Sequence, residues 1–369
     1  MPHRRNFLKS ALLAAAPGMV LAQAAPPSAN GKLGIPGPFP GRVVETHHPG
    51  CIVNGAYQQA AVNEMMHRGM MELTGAGAWQ DAWKTFFQPG DIVGIKVSPV
   101  GGAKLSSDAT VMHEILAGLA AAGVPSKDVV VFSRYRKEIT DAGIDKWVPG
   151  DVHITAPSHD YSEVQLDMDG YDPNVYMEMA LKIPQGENSN DPKYRRSYVS
   201  KVVTQQVNKI INLPVLKHHQ SAGVTIALKN LSHGCVNNVN RSHLTSTLNA
   251  CGEFIPSVVN LPVFRQKVVL HICDAVKSQY HGGPGYREQF VWEPKTIYFA
   301  TDPVALDKTG LKALDAKRKQ VGMESIALSK PDKYSHFLNC QVEHIEIAGS
   351  LGLGEFDDNK IDVRRIALT

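Results

Sequence analysis

The hydrophobic positions of this chain alternate between two periods. From Ala56 to Leu73, Val62, Met65, Met66, Met70 and Leu73 recur at near-helical spacing and predict a helix. Its methionines read as adaptable core filling rather than as a copper-binding patch. After the Pro89-Gly90 turn, Asp91 to Val97 is a short apolar run of buried-strand type. Val111 to Gly123 returns to the helical period and closes on a glycine, and Asp128 to Phe132 is the next strand. Strand, helix and strand in that order predict parallel strands joined by crossover helices.

Residues 157–196 break the alternation with Asp, Asn, Pro, Tyr and Gly, and read as an insertion or lid. Strands resume at Lys209–Leu213, Lys267–Cys273 and Thr296–Ala300. A helix follows the last of these, with Asp302 as its cap, Pro303 in its first turn and Ala305 to Ala316 as its body. The fold class is α/β, with a mostly parallel or mixed sheet flanked by helices and room for two lobes with a cleft between them. One such domain is expected over residues 42–369, preceded by a Pro-, Gly- and Ala-rich flexible leader at 25–41.

The N-terminus changes the picture of charge and compartment. Arg4-Arg5-Asn6-Phe7-Leu8-Lys9 resembles a twin-arginine export signature, and an apolar stretch from Ala11 to Ala22 follows it. Ala22-Gln23-Ala24 supplies the small-x-small pattern of a cleavage site, so residues 1–24 read as a signal peptide. The expected partner is then the twin-arginine translocation machinery, the expected location is the periplasm, and such substrates cross already folded. The chain carries a net charge of +3, and Arg4, Arg5 and Lys9 account for all of it. The remainder is neutral, which gives no support to nucleic-acid binding. No later run is apolar enough for a membrane span, which takes about 18 residues or more. The five cysteines contain no C-x-x-C pair, so a ferredoxin-type iron–sulfur site lacks its signature. They read as buried small hydrophobes, with one or two disulfides as the alternative.

Candidate chemistry concentrates between Asn212 and His243. Ligands of open α/β sheets bind beyond the carboxyl ends of strands, and Lys217, His218 and His219 follow such an end. Ala222 to Leu231 reads as a helix that puts Thr225 and Lys229 on one face and ends at His233-Gly234, with Gly234 as a left-handed cap. His218, His219, His233 and His243, with Cys235, are candidate ligands for a transition metal, although their spacing matches no standard motif. Adjacent His218 and His219 would point opposite ways in an extended segment. Lys217, Lys229 and Arg241, with Asn230, form an alternative clamp for a small carboxylate or phosphate. A desolvated lysine among them is also a candidate base or Schiff-base nucleophile. Asp274 is placed to orient a histidine, and Gly283 and Gly285 to offer backbone N–H groups to an anion. The catalytic candidates are therefore Lys217, Lys229, His233 and Asp274.

These residues also carry a resemblance. Leu213-Pro214-Val215-Leu216-Lys217-His218-His219, Ala222-Gly223-Val224-Thr225, Ala227-Leu228-Lys229-Asn230 and His233-Gly234 resemble the core motif of the domain-of-unknown-function 362 family. Ile92–Lys96, Asp274 with Gly283-Pro284-Gly285, and Asp302–Asp307 resemble its flanking blocks in order. The resemblance implies an α/β fold and little about activity. Many members of the family carry four-iron cysteine runs, which this chain lacks. A looser similarity to the nickel-dependent lactate racemase group is an analogy without a transferable motif. Two functions are expected. One is a metal-dependent or redox enzyme (an oxidoreductase, isomerase or lyase) acting on a small anionic substrate. The other is a non-catalytic periplasmic metal- or ligand-binding protein.

Overall fold

The computed structural model describes residues 33–162, 165–179 and 191–369. The export-signal reading at 1–24 and the leader up to residue 32 lie outside the described residues. Residues 33–41, expected to be flexible, instead pack against the body. Ile35 and Phe39 are buried, and the Phe39 and Gly41 amides donate to Thr301 Oγ1 and Asp302 Oδ2.

The strands of the main sheet are β1 (Arg42–His47), β2 (Val93–Lys96), β3 (Val129–Phe132), β4 (His153–Thr155), β5 (Lys209–Asn212), β6 (Val215–His219), β7 (Gly223–Thr225), β8 (Val268–Gln279), β9 (Thr296–Ala300) and β10 (Asp362–Ala367). The two residues Val291–Trp292 complete an 11-stranded sheet. Its main order is β10-β1-β9-β8-β5-β2-β3-β4, with β6 paired to β8 and β7 to β6. From β8 to β4 the pairs are parallel, whereas β1–β9 and β9–β8 are antiparallel. The sheet is therefore α/β and mixed, as the element order predicts.

Helices cover both faces, and the strands divide their side chains between two cores. Ile210, Phe132, Cys273 and Tyr298 face one core, with α3 (Ala227–Cys235), α4 (Cys251–Val259) and α5 (Pro303–Gln320). Their neighbours Ile211, Val131, Ile272 and Phe299 face the other, with α1 (Gln59–Thr74) and α2 (Ala109–Ala121). This period of two is what a strand buried on both sides requires. Met65, Met66 and Met70 of α1 are buried in the second core. All five cysteines are buried and free. Tyr171–Glu178 and Arg196–Ser200 form a separate antiparallel pair beside the main sheet, within and just after the expected insertion. No helix of the described residues is long and apolar enough to cross a membrane.

The segment after β6 differs from the expected helix over Ala222–Leu231. Gly223 takes a positive φ of 81°, which turns the chain into the β6–β7 hairpin, with Lys217 opposite Thr225 and His219 opposite Gly223. The helix begins only at Ala227 and runs on to Cys235, so Gly234 lies inside it rather than capping it. Hairpin pairing overrides the helical composition because it buries every residue from Val215 to His219 and from Gly223 to Thr225.

Candidate functional site

Chain order places a crevice at one point of the sheet. From β2 the chain crosses to β3 and β4 on one side, then returns to β5 on the other side of β2. Loops leaving the carboxyl ends of neighbouring strands separate at such a reversal, and a pocket opens there. Lys96 and Asn212, the last residues of β2 and β5, are register partners at that edge. The pocket above them has a volume of about 330 Å³.

Helix α3 forms one wall. Leu228, Leu231 and Cys235 point into the core, while Lys229, Asn230 and His233 line the cavity. Ile226 offers the helix no side-chain cap. Asp307 of α5 does so instead, accepting from the Ala227 amide at 2.7 Å and the Leu228 amide at 3.1 Å. Burial pushes the Asp307 carboxyl up to about 8 against the pull of those two donors. Asn212 Nδ2 donates to the Ala227 carbonyl, and Asn230 Nδ2 donates to Asn212 Oδ1 at 2.8 Å. The helix that carries the polar wall is thus pinned to the end of β5.

The cavity is strongly cationic. Among the described residues, Lys96, Arg134, Lys217 and Lys229 line it against a single carboxylate, Glu138. Lys96 Nζ is anchored by Asn230 Oδ1 at 3.0 Å, Ser133 Oγ at 3.4 Å and the Val97 carbonyl. Lys217 Nζ, by contrast, is buried with no hydrogen-bond partner among the described residues, as is Thr225 Oγ1 opposite it. Burial lowers Lys96 to about 8, and it lowers Lys229 to about 8 with Arg134 and Lys96 adding to the effect. Burial and then the Lys229 cation lower Lys217 to about 7. Burial raises the Glu138 carboxyl, and Arg134, Lys96 and Lys217 oppose that rise. Arg134 Nη1 is also buried without a partner. A bound anion would supply what these groups lack.

The histidines fall into separate roles. His219 Nδ1 accepts from the Ser221 amide at 3.2 Å and the Ala222 amide at 3.3 Å. A neutral ring so held carries its proton on Nε2, which suits it to donate into the cavity and not to ligate a metal. His218 projects from the other face of β6. Its Nδ1 accepts from the Gly283 amide, and its ring lies 5.2 Å from that of His281, so it is outside the cavity. His233 and His243 line the cavity, and their ligand atoms lie with Cys251 Sγ inside 4.8 Å of one another. Ser242 Oγ sits among the three, 3.0 Å from His233 Nε2, 2.8 Å from His243 Nδ1 and 3.9 Å from Cys251 Sγ, and donates to the Val239 carbonyl. One hydroxyl thus lies within hydrogen-bond distance of both nitrogens.

Several expected site residues stand elsewhere. Cys235 points into the core and burial pushes its thiol up to about 12, so Cys251 replaces it beside the histidines. Arg241 donates to Ser197 Oγ, to the Asn238 carbonyl and to the Met179 carbonyl, tying the separate hairpin to the loop after α3. Asp274 lies within β8 and orients no histidine. It accepts from Tyr57 Oη and the Asp108 and Val276 amides, and burial raises it to about 6. Gly283 packs its backbone against the His218 carbonyl, where a Cβ would collide, and the Gly285 carbonyl accepts from Gln279 Nε2. Neither glycine lines the cavity. Of the expected residues, the cavity brings together Lys217, His219, Lys229, Asn230, His233 and His243.

Gly234 has a role that its sequence context did not reveal. A Cβ there would collide with Lys96 Cε and Nζ, so the missing side chain makes room for that ammonium. Gly234→Ala should displace Lys96 from Asn230 and weaken anion binding about tenfold while the fold is retained, as read by calorimetric titration and a thermal melt.

A family model described as a domain of unknown function (DUF362) matches residues 161–312. Over that stretch the chain resembles the DUF362 family. The matched stretch carries Lys217, Lys229, His233 and Asp307, whereas Lys96, Arg134 and Glu138 lie before it. No curated protein matches the chain. A solved structure of a protein from Thermotoga maritima aligns at 12% identity and a TM-score of 0.39, over 73% of this chain. The alignment spans 60% of that protein's length.

Proposed function

We propose that this chain is an enzyme that holds a small anionic substrate in the cavity at the sheet's reversal point, with Lys217 as the group that reacts. One observation carries this reading: among the described residues, a buried lysine without a hydrogen-bond partner lines a cavity in which four basic side chains face one carboxylate. Lys96, Arg134 and Lys229 hold the anion, His219 Nε2–H donates to it, and Lys217 is near half-neutral at physiological pH.

The lysines set the pH dependence. Their folded values of about 7 to 8 lie below the ordinary 10.5, so the unfolded chain binds more protons across that interval. Without ligand, stability therefore rises with pH between about 7 and 10.5. An anion favours the protonated lysines, so its affinity should fall by roughly 10- to 100-fold from pH 6 to pH 9. Thermal shifts with phosphate and with small carboxylates across that range test this. A ligand-induced shift that is flat with pH, or no shift at all, contradicts the reading.

A second reading, a metal-binding protein, is favoured by the grouping of His233, His243 and Cys251. It requires stoichiometric cobalt(II) uptake that is lost in Cys251→Ser. The N-terminal signature supports export as a further part of the proposal. Residues 1–24 fused to a reporter should be exported, and Arg4→Lys with Arg5→Lys should abolish this.

A further inference from the structure

We propose that Lys217 is a nucleophile that condenses with the carbonyl group of a small oxo acid and holds it as an imine. This rests on the anion-binding reading above and names its substrate class.

Two buried lysines of the cavity are held differently. Lys96 Nζ is held in place by three oxygen acceptors. Lys217 Nζ is bonded to nothing, and no ion pair holds it among the described residues. An unpaired ammonium buried in this way is far more costly than a neutral amine. Burial and the neighbouring Lys229 both push the group toward the neutral form. A neutral amine has a free electron pair, and here that pair belongs to a cavity-lining side chain. The cations beside it would hold a carboxylate one or two carbons from the carbonyl carbon.

The step balances within the cavity. The Nζ electron pair attacks the carbonyl carbon, the C=O π pair moves to oxygen, and a proton passes from nitrogen to that oxygen to give a carbinolamine. Glu138, whose carboxyl burial raises, lends a proton to the departing hydroxyl. Water leaves, the nitrogen pair closes the C=N bond, and the nitrogen proton released returns the borrowed one. The net change is amine plus carbonyl to imine plus water, with no oxidant or reductant.

The test is reductive trapping on the full chain. Wild-type protein is incubated at pH 7 with pyruvate or acetoacetate and cyanoborohydride, then analysed by intact mass and peptide mapping. One adduct per chain is expected, on Lys217, with labelling about tenfold or more above any exposed lysine because those remain protonated. Lys217→Gln should lose the adduct. Thermal shifts with the same acids separate the two claims. Stabilisation without a Lys217 adduct overturns the imine and leaves the anion site standing. Neither stabilisation nor adduct overturns both. Label spread over exposed lysines, with no preference for Lys217, also overturns the imine.

Discussion

Lys217→Met should give a protein that is more stable and functionally dead. Lys217 is fully buried, has no partner, and is held at about 7 instead of 10.5. At pH 7 that difference costs the fold on the order of 4 kcal/mol. Methionine fills similar space without a group that wants water, so the variant should gain about 1–3 kcal/mol in chemical denaturation. Anion binding should weaken because one cation is lost, and any turnover should vanish. Arginine at this position should not restore turnover, since a guanidinium cannot become neutral. A loss of stability in the methionine variant would mean that the ammonium has a partner and that the cavity is not poised for an anion.

Asp307→Ala should have the opposite signature. Asp307 is buried and supplies the only side-chain acceptors at the start of α3 among the described residues. Its removal leaves the Ala227 and Leu228 amides unpaired in a dry environment, which costs about 3–4 kcal/mol in total. Lys229, Asn230 and His233 ride on that helix, so binding should be lost together with stability. Asp307→Asn keeps one acceptor and should lose about half as much. Equilibrium denaturation of the two variants checks the order.

The sheet was legible in the chain because its strands and crossover helices follow opposite periods, as in Asp128–Phe132 and Val111–Gly123. The helix expected over Ala222–Leu231 was not, because its apolar residues fit a helix and a buried hairpin equally well. Only the pairing of Lys217 with Thr225 decides between them. The lysines after β5 could be found from their place beyond a strand end. The same rule would have found Lys96 and Arg134, which end or follow β2 and β3, but each lies in a run that reads as ordinary strand or loop. Arg241 and Asp274 show the converse. A polar residue near a site carries no mark of whether its hydrogen-bond partners belong to a ligand or, as here, to Ser197 and Tyr57. Cys251 could not be preferred to Cys235, because only the three-dimensional path of the loop after α3 brings it to the histidines.

On the proposed reading, the cavity takes an anion by protonating its own lysines. Titration calorimetry of phosphate at pH 8, in two buffers of different ionisation enthalpy, tests it most directly. Saturable binding to one site is expected, with uptake of about one proton or more per anion, since Lys217, Lys229 and Lys96 are all partly neutral there. Absence of binding, or binding whose heat is the same in both buffers, would contradict it.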